Sequence, residues 1–369
     1  MSLVSYEDLH ARAKSDPSKH VYELVGQRIH DDAHPMPQPP NARLSALDTA
    51  TIDNWVAKSA PAPLPGEVCK SPAYDGGAIS GLSCRPDLSV RPVSPWSMPQ
   101  DQSDVYVCYG VDVPVVANQQ AIAFAPHIDN LKIVHHVLLY ESAVARPITP
   151  GPCPLGVGEA KLVYGWAPGG GPFELPSEAG YKMAGADGVA HYVVQVHYNN
   201  LSGLSGEKDS SGFDLCTTTS PRPNDADVVA FGSMDFTIPA HGSLDITCDY
   251  PIPKSVVDMH LISALPHMHQ LGTTISTLAS GQSTNANLGG VAKWDFSNQS
   301  WAPVSATIHG GDVIHTRCAW NNPKSTPVSF GEFTEDEMCY SFTMYWPATN
   351  AFPVWMWPSL QSKCSPTPH

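Results

Sequence analysis

Charge is scarce in this chain. Only 15% of its 369 residues are charged, against about a quarter in an ordinary soluble protein. Positive charge is scarcer still: 20 Lys and Arg stand against 35 Asp and Glu, a formal net charge of −15. That balance argues against nucleic acid and anionic membrane surfaces as partners. No run of about 18 apolar residues exists, so no helical membrane span is expected. The apolar stretch Leu261 to Leu265 is short and ends at Pro266. No C-x-x-C pair is present, which removes the common zinc-finger and dithiol redox readings. Gly165-Trp-Ala-Pro-Gly-Gly-Gly171 lacks a following Lys-Ser/Thr and is no P-loop.

Turn formers are plentiful instead, with 36 Pro and 28 Gly, the profile of a folded, strand-rich chain and not of a disordered acidic one. The length allows more than one core. Val21, Leu24, Val25 and Ile29 recur at helical spacing, as do Ile52, Trp55 and Val56. Ser45, with Asp48 three residues on, is a weak capping-box signal for the second helix. Between these helices His34-Pro-Met-Pro-Gln-Pro-Pro40 is a stiff loop presenting Met36, and Ala60-Pro-Ala-Pro-Leu-Pro-Gly66 reads as a linker.

Beyond Cys69 the pattern changes to short alternating runs such as Asp104–Tyr109, Lys132–Tyr140, His191–Tyr198, Ser243–Cys248, Asp312–Cys318 and Tyr340–Trp346. β-Branched and aromatic residues separated by Gly, Pro and Asn predict antiparallel strands. The expected class is mainly β: two antiparallel jelly-roll-type β-sandwiches preceded by a small helical segment. The expected boundaries are 1–66, 67–222 and 223–369, with the polar stretch Thr217 to Asp227 dividing the sandwiches.

Nine widely spaced cysteines read as mostly disulfides and hence as an exported, periplasmic or extracellular protein. The odd count leaves at least one cysteine unpaired. No signal peptide is visible at Met1, so export implies that a processed segment once preceded it.

The chemistry centres on Leu265-Pro-His-Met-His-Gln-Leu-Gly272. In an extended chain side chains two apart share a face, so His267 and His269 form a chelate suited to a transition metal. Met268 between them points the other way. His135-His136 lies inside one predicted strand, His197 in another, and Met338 just ahead of a third. Each has an ordinary structural reading. Adjacent histidines in a strand face opposite ways unless the strand twists or the rings use different nitrogens. A lone His197 is a core histidine, and a lone Met338 is packing. His191, His260, His309 and His315 have no partner at chelating spacing.

Taken in order, His-His-Val-Leu-Leu-Tyr, Gln-Val-His-Tyr, His-Met-His-Gln-Leu-Gly and Glu-Met-Cys resemble the motifs of the copper type II, ascorbate-dependent monooxygenases, over roughly Asp104 to Pro347. The resemblance implies two copper ions. His135, His136 and His197 match the electron-transfer site; His267, His269 and Met338 match the catalytic, oxygen-binding site. It implies two sandwiches facing across a cleft, hydroxylation of a C–H bond of a small molecule with O2, and two electrons from ascorbate or a redox protein. It also implies the disulfides Cys318–Cys339 and Cys108–Cys216, and more weakly Cys69–Cys84 and Cys248–Cys364, leaving Cys153 over. Gln195 and Tyr198, flanking His197, become candidates for orienting it.

Two departures bear on substrate. Where peptide-amidating members carry an arginine that anchors the substrate carboxylate, this chain has Leu265, and where they carry a substrate-facing tyrosine it has Phe342. A less polar substrate than a glycine-extended peptide is implied. The amino-terminal piece, with Met36 in its proline-rich loop, resembles the distal half of a small bacterial cytochrome c. Without a C-x-x-C-H it could take part in haem binding only if a haem-attaching segment lay upstream. The rival functions are a copper-storage protein using the same ligands without turnover, and a zinc hydrolase site, which Met338 disfavours.

Overall fold

The computed structural model describes residues 6–34, 36, 43–44, 46–62, 81–153, 160–183, 188–200, 203–296, 298–352 and 354–367. The chain forms two compact units, Met1–Tyr74 and Asp75–His369.

In the first unit the two helical patterns become helices Val21–Arg28 and Ala46–Ala57, after a short helix Tyr6–His10. The first of the pair starts where Glu23 reaches back to accept the backbone N–H of His20 at 2.7 Å, satisfying one of the orphan donors of a helix start. A Cβ at Gly26 would lie 3.2 Å from Val56, so the missing side chain lets these helices approach. Most of the Met36 loop, Ser45 and residues 63–66 of the linker lie outside the described residues.

The second unit holds four large sheets. One pairs Asp104–Pro114, Val189–Asn199, Val134–Ser142 and Lys161–Trp166, with Gly151–Pro152 on its edge. Its partner sheet runs through Leu88–Val90, Gly212–Thr218, Gln120–His127, Ala179–Lys182 and Asn224–Asp225. Val107, Val137 and Val194 of the former meet Val90, Phe124 and Phe213 of the latter in one core. The other two sheets are built on Asp227–Gly232, Cys339–Trp346, Met259–Met268 and Ala302–Ile308, and on Asn285–Val291, Gly272–Ser280, Val313–Asn322, Gly242–Pro251 and Lys363–Pro366. All these pairs are antiparallel except the two-residue pairing of Asn224–Asp225 with Ala179–Lys182.

Strand burial explains how the two sandwiches meet. Val313–Asn322 alternates almost without fault between half-buried and buried positions, as a strand with one solvated face should. Cys339–Trp346 is buried at every position but the last. Its Tyr340, Phe342 and Met344 join the core of the first sandwich, whereas Cys339 and Tyr345 lie in the cores of the second. Val228 and Ala230 likewise face the first sandwich, and Val229 and Phe231 their own. The strand pair carrying the second metal-ligand candidates is therefore pressed between two apolar layers.

Four disulfides brace this unit. Cys318–Cys339 ties the two sheets of the second sandwich together beside Met338, and Cys248–Cys364 joins residues opposite each other in register. The other pairings expected from the resemblance are corrected. Cys108 bonds Cys153, not Cys216, because Gly151–Pro152 pairs with Val107 and Cys108 and delivers Cys153 to that edge. Cys216 belongs to the opposite sheet and bonds Cys84, which the resemblance had paired with Cys69. Bonded to Cys108, Cys153 is not the cysteine left over; Cys69 lies outside the described residues. No helix among the described residues is long and apolar enough to cross a membrane.

Candidate metal centres

The register of the first sandwich aligns Tyr106, His197 and His136 across three neighbouring strands. His197 pairs with His136 while Tyr198 pairs with Val134, so His135 is the extra residue of a β-bulge. A bulge re-aims a side chain, and this one frees His135 from the rule that neighbours face opposite ways. The three rings converge: His135 Nδ1 lies 3.2 Å from His197 Nδ1 and 3.3 Å from His136 Nδ1. The other nitrogen of His197 is committed, since Nε2–H donates to Asp104 at 2.5 Å, and Tyr106 stacks on the ring with centroids 4.2 Å apart.

Desolvation holds His135 and His136 neutral. It pushes His135 down to about 3 and His136 well below its ordinary value, with the neighbouring histidines adding in the same direction. Ring nitrogens brought this close with their lone pairs facing one another repel unless a cation sits between them. One nitrogen from each ring lies within 4.8 Å of the others, a donor set that fits a transition-metal ion.

The second centre lies at the end of Met259–Met268. His267 and His269 sit on one face, ring centroids 5.4 Å apart. His267 Nδ1–H donates to Gln299 at 2.6 Å, and His269 Nδ1–H to the carbonyl of Asp336 at 3.1 Å. Both Nε2 atoms are thereby left for a metal. Burial depresses both rings, His267 to about 4 against the opposing pull of Gln299, and His269 well below its ordinary value. His267 is opposite Tyr340 and Met268 opposite Cys339, where the ladder ends, and Met338, just before Cys339, lines the same cavity as His267. Met268 is fully buried in the second sandwich. Glu337, also fully buried, clamps this corner. It accepts the backbone N–H groups of His269 and Leu271 and the indole N–H of Trp320. Desolvation raises its carboxyl to about 7 against those bonds.

Both centres open on one cavity between the sandwiches. Its walls include His136, Tyr140, Trp166 and Gln195 from the first, and Leu265, His267, Met338, Tyr340, Phe342 and Trp355 from the second. Leu265 and Phe342 are direct register partners and form one wall. Gln195 shares the face of His197, two residues on, and lines the cavity. Tyr198 is on the opposite face, where its hydroxyl donates to Asp209 at 2.8 Å. Asp104, Tyr106, Gln299 and Glu337 were not singled out from sequence. Only Glu337, beside Met338 in the Glu-Met-Cys motif, had a local signal.

Paired antiparallel sandwiches, with a three-imidazole cluster able to hold a metal in one and a buried imidazole pair in the other, define a candidate β-sandwich metalloprotein. The family models agree: the N-terminal domain of the copper type II ascorbate-dependent monooxygenases matches residues 93–205 and the C-terminal domain matches 224–353. The chain belongs to that family. It is 28% identical over 265 residues to peptidyl-glycine alpha-amidating monooxygenase A of Xenopus laevis, covering 66% of this chain and 26% of the relative. Against dopamine beta-hydroxylase of Rattus norvegicus it is 28% identical over 272 residues, covering 66% of this chain and 43% of the relative. The chain thus spans about a quarter of the amidating relative's length and under half of the hydroxylase's. Copper is the metal of the family, and the imidazole and thioether donors suit it.

Proposed function

We propose that the chain is a two-copper monooxygenase that hydroxylates a C–H bond: R–H + O2 + 2 e− + 2 H+ → R–OH + H2O. The observation carrying this reading is that one apolar cavity is lined by His136 of the three-imidazole cluster and, from the other sandwich, by His267 and the thioether of Met338. Bound copper supplies one-electron redox chemistry and O2 activation. The chain's own residues hold and orient. His135, His136 and His197 offer Nδ1 to one ion; His267 and His269 offer Nε2 to the other, with the soft sulfur of Met338 favouring its reduced state. Asp104 and Gln299 hold the tautomers of His197 and His267. The electrons come from ascorbate or a redox protein.

The domain division supporting this reading is 67–222 for the first copper and 223–369 for the second. Leu265 and Phe342 line the cavity with no charge, which fits an apolar organic substrate better than a peptide carboxylate. Four disulfides support an exported protein.

Copper-loaded protein should consume O2 with ascorbate when a C–H substrate is present. Met338→Ala should keep copper at His135, His136 and His197 while losing hydroxylation by at least tenfold. A copper-loaded parent without turnover across a broad substrate panel would leave the storage reading in its place.

A further inference from the structure

The loop that carries Met338 is seated on the shell of the other metal centre. Asp104 accepts His197 Nε2–H with one oxygen and, with the other, the backbone N–H of Thr334 at 3.2 Å. Tyr106, whose ring covers His197, donates its hydroxyl to the carbonyl of Glu332 at 2.5 Å. Asp104 and Tyr106 belong to the first sandwich, and Glu332 and Thr334 to the second. The loop is internally closed: Asp336 N–H donates to the Phe333 carbonyl, and the Glu337 carbonyl accepts Gly331 N–H. These bonds tie Thr334 and Met338 into one hydrogen-bonded loop. The same loop supplies the Met338 thioether, the Asp336 carbonyl that fixes His269, and the Glu337 clamp on the backbone of His269.

We propose that Asp104 is a positioning residue for both metal centres, one oxygen orienting His197 in the first and the other seating the loop that places Met338 and His269 in the second. The proposal rests on the two-copper reading above. A second contact points the same way: Phe296, from the second sandwich, stacks on His135 at 4.5 Å and stands 6.1 Å from His269. Ordering of one centre is thus felt at the other through contiguous packing.

Asp104→Asn is the direct test in the full chain loaded with copper. The two N–H groups sit on different oxygens of Asp104, and in the amide one of those oxygens becomes an NH2 donor, so one of the two bonds is lost. Copper affinity at the first centre should fall roughly 10- to 100-fold, as for loss of other carboxylate partners of ligating histidines. In the ascorbate-reduced protein the sulfur scattering of the Cu–Met338 bond, read by X-ray absorption, should also weaken, although Asp104 touches no ligand of that centre. Unchanged sulfur scattering beside a weakened first centre would overturn the proposal. Tyr106→Phe separates the two roles, because it keeps the ring on His197 and removes only the bond to Glu332. It should weaken the sulfur signal and leave first-centre affinity within about twofold, a difference of well under 1 kcal/mol. The opposite pattern, or no effect on sulfur, would refute the coupling, and this variant decides the matter if Asp104→Asn does not fold. A parent that binds fewer than two coppers would instead fail the two-copper reading itself.

Discussion

Metal-free protein should lose stability steeply as pH falls below 6.5. The perturbation is protonation of imidazoles that the fold holds neutral. In the unfolded chain each histidine binds a proton near its ordinary value of 6.5, whereas in the folded protein desolvation pushes His135 down to about 3 and His267 to about 4. Below 6.5 the unfolded state then binds more protons than the folded one, so stability is present above that pH and is lost as pH drops. By pH 5.5 each of these two groups costs about 1.4 kcal/mol, or about 3 kcal/mol together, against almost nothing at pH 7.5. His136 and His269 shift in the same direction and add to the loss. For a domain with a total of roughly 5–15 kcal/mol this is a large fraction. The assay is denaturant unfolding of chelator-treated protein at pH 7.5, 6.5 and 5.5, with intact disulfides. Copper-loaded protein should resist the drop, since the ion competes with the protons for the same lone pairs. An unfolding free energy of the metal-free protein that stays flat to pH 5.5 would refute the argument, because it would mean the rings are hydrated or already paired with charge.

Gln299→Ala should act on the second centre alone. It removes the acceptor that orients His267, so copper affinity there should fall roughly 10- to 100-fold while the three-histidine centre is unchanged, as read by copper competition titration. The double change Cys318→Ala with Cys339→Ala opens a link between residues 21 apart, which loop-closure entropy values at about 3 kcal/mol. Equilibrium unfolding should show that loss, and the Cu–sulfur signal should weaken because Cys339 adjoins Met338.

The parts of the site legible in the sequence were those governed by local period. His267 and His269 share a face because strands repeat every two residues. The same rule puts Gln195 with His197 on the cavity side and turns Tyr198 away, which its bond to Asp209 reflects. Applied to His135 and His136, however, the rule points to opposite faces, and it fails because of a bulge that exists only in the pairing with His197. That pairing joins residues 61 apart in the chain, and nothing near His135 encodes it. Asp104 and Gln299 were illegible for the same reason, lying 93 and 32 residues from the histidines they orient. Disulfide pairing follows as well: Cys108 and Cys216 lie in different sheets, and only the edge pairing of Gly151–Pro152 reveals that Cys153 is the nearer thiol. Ligand identity is thus written in short motifs, whereas ligand orientation is written in strand register. Register also decides the substrate wall, because Leu265 and Phe342 become one surface only when Met259–Met268 and Cys339–Trp346 pair as they do. Had those strands slipped by one residue, every side chain would change face, and His267, Leu265 and Phe342 would point into the second sandwich and leave Met268 at the cavity.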